Sequence, residues 1–431
     1  MNPDSPSTRF RNSDIPWIEK IRADWRTVRF GSVFSESKRK NSGLRERNLL
    51  SLSYGRIVRR SIDSSDGLLP ESFETYQIVR DGDLVFRFTD LQNDQKSLRS
   101  GLVRQTGIIT SAYVAATPAE VEPRFAAYLM RSYDTTKVFY GMGSGVRQSL
   151  KYSDLARVPI LMPPRVEQTQ IADFLDRETA RIDTLIEKQE KLIETLGERR
   201  AALITEIATK GLGTFNRRTA RSPFLGDVPS GWGESRLGLE MRINAGQVDP
   251  TLPPWSEMVL VAPNHIESGT GRMLGRETAA EQGAESGKYV VAPGQLMYSK
   301  IRPALNKVAL AEEDCLCSAD MYAMSPISSE LSVRYALYYM LSQPIHAYAS
   351  TISSRVKMPK VNREELSAAP FLKPPLTEQI EIADFLDEKT STIDVLIGKA
   401  RELVDLARER RFALITAAVT GQIDVTEDAD G

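Results

Sequence analysis

From Pro159 to Thr209 apolar residues recur every third or fourth position. They are Ile171, Leu175, Ile182, Leu185, Ile186, Leu192, Ile193, Leu196, Leu203, Ile204 and Ile207, with Glu, Lys and Arg between them. This period describes one stripe of an amphipathic helix, the kind of seam that packs on another helix. The stripe returns 211 residues later, from Pro370 to Thr420, as Ile382, Leu386, Ile393, Leu396, Ile397, Leu403, Val404, Leu414 and Ile415. The two segments align without a gap and are identical at about half their positions, sharing Pro-Pro, Glu-Gln, Ile-Ala-Asp-Phe-Leu-Asp and Glu-Arg-Arg. Such an internal repeat organises the chain before anything else does.

Pro163-Pro164 and Pro374-Pro375 end the preceding strand and suit the first turn of a helix, where a missing N–H costs nothing. Gly211 and Gly421 stand where the helices should end. Asp and Thr at Asp176–Thr179 and Asp387–Thr390 leave room for a break. The 43 residues from Glu167 to Thr209 would span roughly 64 Å as one helix at ~1.5 Å per residue. Neither helix can hide its stripe alone, so the two are expected to pair antiparallel.

The intervening segments correspond more faintly. Each has a Trp near its start (Trp25 and Trp232) and a Gly-led apolar strand (GDLVFRF from Gly82, GQLMYSK from Gly294). Each continues with a strand ending before Pro (Pro118, Pro326) and an amphipathic helix (PRFAAYLMRSY, VRYALYYMLSQ). Short strands mixed with one or two helices predict a compact mixed α/β module, occurring twice. The expected layout is a module at 1–158, a helical spacer at 159–211, a second module at 212–369, a second spacer at 370–421 and a disordered acidic tail at 422–431. The fold class is α+β, with pseudo-two-fold symmetry.

The 431 residues contain 41% hydrophobic and 26% charged residues, an ordinary globular composition. No apolar run approaches the ~18 residues of a membrane span, and the first thirty residues carry no apolar leader core. Two cysteines cannot build a disulfide framework, so a reducing cytoplasm is the expected compartment. The net charge of −1 conceals an asymmetry: residues 1–158 carry 25 basic and 18 acidic groups, whereas residues 370–431 carry 7 and 13. A polyanion responds to the local field and not to the total.

Catalytic signals are weak. GAESGKY at Gly283–Tyr289 has three residues between its glycines instead of four, and Tyr follows the Lys where a phosphate loop needs Ser or Thr. Cys315 and Cys317 share a strand face without a second ligand pair, which favours packing over zinc. Glu36-Ser37-Lys38 matches the tail of a nuclease metal motif, but no carboxylate on a preceding strand accompanies it. His265 and His346 read as surface or satisfied core residues. No metal site and no catalytic residue is expected.

Basic clusters are the positive signal. In the first module they are Lys38, Arg39, Lys40, Arg56, Arg59, Arg60, Arg104, Arg147, Gln148 and Lys151. In the second they are Lys300, Arg302, Lys307, Arg355, Lys357 and Lys360. Any one of these suits a solvated face; together, interleaved with Ser, Asn and Gln, they suit DNA phosphates and base edges. The helix positions expected to pair or to bind partners are Ile171, Leu175, Ile182, Leu185, Leu192 and Leu203, with Ile382, Leu386, Ile393, Leu396, Leu403 and Leu414.

The order of variable module, PPxxEQxxIADFLD helix, variable module and PPxxEQxxIADFLD helix resembles the specificity subunit of a type I DNA restriction-modification enzyme. The motifs lie at Pro163–Asp176 with Ile182-Asp183 and at Pro374–Asp387 with Ile393-Asp394. The resemblance covers nearly the whole chain. It implies two target-recognition domains, each reading half of a split, asymmetric DNA site, held apart by an antiparallel coiled coil. It also implies recruitment of two methyltransferase subunits and of motor-nuclease subunits. S-adenosylmethionine, Mg and ATP would belong to those partners and not to this chain. The competing expectations are a single-chain nuclease using Glu36 and Lys38, and a scaffold with no DNA role.

Overall fold

A computed structural model describes residues 10–62, 72–94, 97–142, 149–214, 216–243, 246–353 and 359–425. The chain divides into two compact units. One comprises residues 1–188 and 402–431, the other residues 189–401. Each unit therefore takes one module together with part of both long helices.

Those helices run from Arg165 to Lys210 and from Leu376 to Val419 without interruption. The break allowed at Asp176–Thr179 and Asp387–Thr390 does not occur. The Thr179 hydroxyl donates to the Leu175 carbonyl inside the helix, and the neighbouring carboxylates find partners on the modules. Gly211 and Gly421 sit just beyond the helix ends at φ +75 and +74, the left-handed conformation that closes a helix.

The buried stripe of the second helix is Leu386, Thr390, Ile393, Ile397, Ala400, Val404 and Ala407. These positions step by four and three in alternation, the heptad spacing of a helix–helix seam. In the first helix Leu175, Thr179, Arg200, Ile204 and Ala208 are buried, and Ile182, Ile186, Ile193, Leu196 and Leu203 are half-buried. Leu185, Leu192, Leu396 and Leu403, expected to pair or to bind partners, are exposed and lie outside this buried stripe. Each adjoins the isoleucine or valine of the same stripe that does face inward, Ile186, Ile193, Ile397 and Val404.

In the first unit a four-stranded antiparallel sheet has the order Phe34–Glu36, Val114–Pro118, Leu84–Phe86, Ser100–Leu102. The second unit repeats it as Met241–Ile243, Met321–Pro326, Leu296–Ser299, Val308–Leu310. In each, the strand leading into the long helix pairs with one near the start of the module: Pro159–Met162 with Arg26–Arg29, and Pro370–Lys373 with Gly233–Arg236. The units differ in their smaller sheets. The first has the hairpin Leu50–Ser53 with Arg56–Arg59, and the second a three-stranded sheet of Leu260–Val261, Cys315–Cys317 and Tyr289–Val291.

Each core is closed by both helices. In the first unit Trp25, Phe30, Phe86, Phe125 and Tyr133 surround Ile171, Leu175, Ile415 and Val419. In the second Trp232, Tyr298, Tyr335, Tyr339 and Phe371 surround Ile204, Ile382 and Leu386. The start of one helix and the end of the other complete each module. Ile423 and Val425 also belong to the first core, and Asp424 lies 3.8 Å from Arg22. This corrects the expected tail, of which only residues 426–431 fall outside the described set. No helix among the described residues is long and apolar enough to cross a membrane.

Candidate nucleic-acid interface

The repeated PPxxEQxxIADFLD motif is a clamp that holds a module on its helix. Glu167 accepts the Trp25 indole N–H at 3.0 Å, and Glu378 accepts that of Trp232 at 3.0 Å. Gln168 bridges two backbones: its carbonyl takes the Glu122 N–H at 2.8 Å and its amide donates to the Pro163 carbonyl at 2.9 Å. Gln379 does the same with Ser332 N–H at 2.8 Å and the Pro374 carbonyl at 2.8 Å. One turn on, Asp173 and Asp176 hold Arg124 at 2.7 and 3.0 Å, and Asp384 and Asp387 hold Arg334. Tyr128 donates to Asp176, and Tyr338 to Asp387. The shielded Trp–Glu bonds contribute about 1.5–3 kcal/mol each, whereas the Arg–Asp pairs, with Asp173 and Asp384 57% and 62% exposed, contribute about 1 kcal/mol or less.

Burial raises the Glu167 and Glu378 carboxyls above the usual carboxylate range, opposed in Glu167 by Arg22 and Trp25 and in Glu378 by Trp232. Burial likewise pushes the Tyr128 phenol up to about 12. None of these groups faces a cleft with a reacting centre, so their shifts report packing.

Farther along, the helices are tied by ion pairs at equivalent positions. Arg411 meets Asp183 at 2.9 Å in the first unit, and Arg200 meets Asp394 at 3.0 Å in the second. Each pair also grips its module. Asp183 takes Arg56 of the hairpin at 3.0 Å, and Arg200 donates to the Thr270 carbonyl at 2.8 Å.

With the modules so fixed, the basic candidates fall into different roles. Lys38, Lys40, Arg59, Arg60 and Lys151 are exposed. Lys38 is bridged to Glu36 at 2.7 Å, which occupies the pair considered for nuclease chemistry. Arg56 and Arg104 are exposed but lean on the helix carboxylates Asp183 and Asp176. Arg39 is a correction: its guanidinium is bound to the buried Asp83 and reaches the Ile78 carbonyl at 3.3 Å, so it braces the module interior.

In the second unit the structure brings Lys300, Arg302 and Lys360 together, because Ile301 bridges Lys360 and the Arg302 N–H donates to the Pro359 carbonyl at 2.9 Å. Lys307 is a second correction, its ammonium donating to the Pro263 carbonyl. Arg147, Gln148, Arg355 and Lys357 lie outside the described residues.

Cys315 and Cys317 are buried, and burial pushes their thiols up to about 11 and about 12, far from the thiolate that binds metal. Among the described residues no group of three or more His, Cys, Asp or Glu is placed to hold a metal.

Residues 262–403 match the family model described as the type I restriction modification DNA specificity domain. The chain is 29% identical over 322 residues to the type I restriction enzyme EcoDI specificity subunit of Escherichia coli, covering 71% of each chain. The chain is similar to the specificity subunits of type I restriction enzymes. A chain solved in work on complex assembly and conformational transition of the type I R-M system shares the fold, with TM-score 0.67 and 18% identity. That alignment covers 94% of this chain and 99% of the other.

The specificity subunits that the chain resembles are the DNA-recognition subunits of type I restriction enzymes. The clamp explains why the repeated motif reads Glu-Gln and then Asp at two positions three residues apart. Sequence reasoning used that signature but missed its partners Trp25, Arg124 and Tyr128. The signal was present only in the pairing of Trp25 with Trp232 and of the two amphipathic module helices.

Proposed function

We propose that each module reads one half of a bipartite, asymmetric DNA site, and that the paired helices set the distance between the halves. The observation that carries this reading is the contrast within each unit. The clamp of Trp, Glu, Gln, Arg and two Asp occurs twice with the same partners, whereas the smaller sheets of the two modules differ. Duplicated mounting with unlike sheets suits a frame that presents two words to one duplex. Half-sites about one turn apart, ~34 Å, are what paired readers require.

The contact candidates are Lys38, Lys40, Arg56, Arg59, Arg60, Arg104 and Lys151 on the first module, and Lys300, Arg302 and Lys360 on the second. Two methyltransferase subunits and the motor-nuclease subunits are the expected partners in the cytoplasm. The exposed Leu185, Leu192, Leu396 and Leu403 are available to them. S-adenosylmethionine, Mg and ATP would be held by those partners. The test is methylome sequencing of cells expressing this chain with its methyltransferase subunit. A motif of two defined words around an unspecified spacer supports the reading, and a single continuous word refutes it.

A further inference from the structure

In the first unit the hairpin Leu50–Ser53 with Arg56–Arg59 turns through Tyr54 and Gly55, both at positive φ, +45 and +74. Two successive left-handed residues make the tight type I′ turn, whose usual first residue is Asn, Asp or Gly. A tyrosine there is sterically costly. Burial does not compensate for it, since Tyr54 is 83% exposed, the most exposed large apolar side chain among the described residues.

The turn is nevertheless held firmly. The Arg131 guanidinium, on the helix Pro123–Thr135, donates to the Gly55 carbonyl at 2.6 Å and to the Ser100 carbonyl at 2.7 Å. A side chain at position 55 would displace that guanidinium, and the φ of +74 favours glycine there as well. On the far side of the turn Arg56 is fixed to Asp183 of the long helix. Inward, Leu52 and Ile57 pack over Gly101. A costly residue is thus mounted on a braced tip and pointed into solvent.

The ring borders a cleft of about 550 Å³ whose lining includes Ser51, Ser53, Arg60, Arg87 and Tyr113, and no carboxylate. Arg87 lies 3.9 Å from Asp94, and Arg60 has no side-chain partner among the described residues. Hydroxyl and guanidinium donors beside a free phenol match phosphate oxygens and base edges. A two-stranded ribbon has the width that the DNA major groove admits.

We propose that this hairpin is the element with which the first module enters the major groove, and that Tyr54 is a specificity-determining residue for that module's half-site. The inference rests on the bipartite reading given above. It goes beyond it by assigning one half-site to one side chain.

The test uses Tyr54→Asn in the full chain with its methyltransferase subunit. Asparagine suits the left-handed turn while removing the ring, so the variant should melt at or above the wild-type temperature. Binding is measured to the duplex carrying the methylated motif and to duplexes with either half scrambled. The expected result is at least a tenfold loss of discrimination for one half, with the other half read as before. A variant that discriminates both halves like the wild type overturns the inference and leaves the bipartite reading standing. Equal loss at both halves also overturns it. A wild type that discriminates neither half removes the reading and the inference together.

Discussion

Arg200 and Asp394 face each other across the two long helices at 3.0 Å, and their counterparts 211 residues away, Arg411 and Asp183, do so at 2.9 Å. Each residue of the first repeat plus 211 gives the matching residue of the second, so the two bridges are one contact built twice. They occupy different surroundings. The Arg200 side chain is 7% exposed and that of Asp394 20%, against 22% and 32% for Arg411 and Asp183.

That difference fixes an asymmetric cost. Asp394→Ala leaves a buried guanidinium without its counter-ion, which costs about 3 kcal/mol. Asp183→Ala releases Arg411 and Arg56 toward solvent and costs about 1 kcal/mol. Urea unfolding of the two variants measures both values, and equal losses would contradict the burial argument.

The two glutamates of the clamp differ in the same way. Glu167 has Arg22 at 3.0 Å, whereas no cation among the described residues is paired with Glu378, and burial raises its carboxyl. In Glu378 the raised group favours the folded state while protonated, and that contribution is lost as pH rises through the folded pKa. Glu378→Gln keeps the acceptor for Trp232 and removes the charge. Thermal melts should therefore coincide with wild type near the acid end and favour the variant increasingly toward neutral pH. A gain that shrinks as pH rises would show the carboxyl lowered and not raised.

Among the basic side chains, phosphate ligands and structural braces should separate cleanly. Lys40→Ala and Arg59→Ala should weaken binding to any duplex and reduce the salt slope by about 0.9 for each phosphate that is no longer neutralised. Arg39→Ala should instead destabilise the fold by about 3 kcal/mol, because the buried Asp83 loses its counter-ion and keeps only the Arg80 N–H and the Thr117 hydroxyl. Titrations at three salt concentrations, with melting curves alongside, distinguish the two. A lowered salt slope for a stably folded Arg39 variant would contradict the assignment.

The repeat made the fold legible from sequence: its offset, its proline starts and its glycine ends all correspond to helix boundaries. The phase of the seam was not legible. At Leu185-Ile186, Leu192-Ile193, Leu396-Ile397 and Leu403-Val404 two apolar residues stand side by side, and only the partner surface selects between them. The apparent breaks at Asp176 and Asp387 misled for a related reason. Asp and Thr favour caps when isolated, but here Tyr128 and Tyr338, 48 and 49 residues away, bind the carboxylates. The same distance problem hid the roles of Arg39 and Lys307, whose charges read as DNA ligands until their internal partners were placed.

If the helices act as the ruler, lengthening both at matching depth should move the half-sites apart. Four added residues per helix extend it by ~6 Å, which corresponds to about one or two more unspecified base pairs at ~3.4 Å each. Methylome sequencing reads the spacer directly, and an unchanged spacer would show that helix length does not set it.

The most direct measurement exchanges the first module, residues 10–158, for that of a related specificity subunit and sequences the methylome of cells carrying the hybrid with its methyltransferase. Two independent readers on one frame predict that a single half-site changes while the other half and the spacer stay as they were. Changes in both halves, or a motif that remains whole, would contradict it.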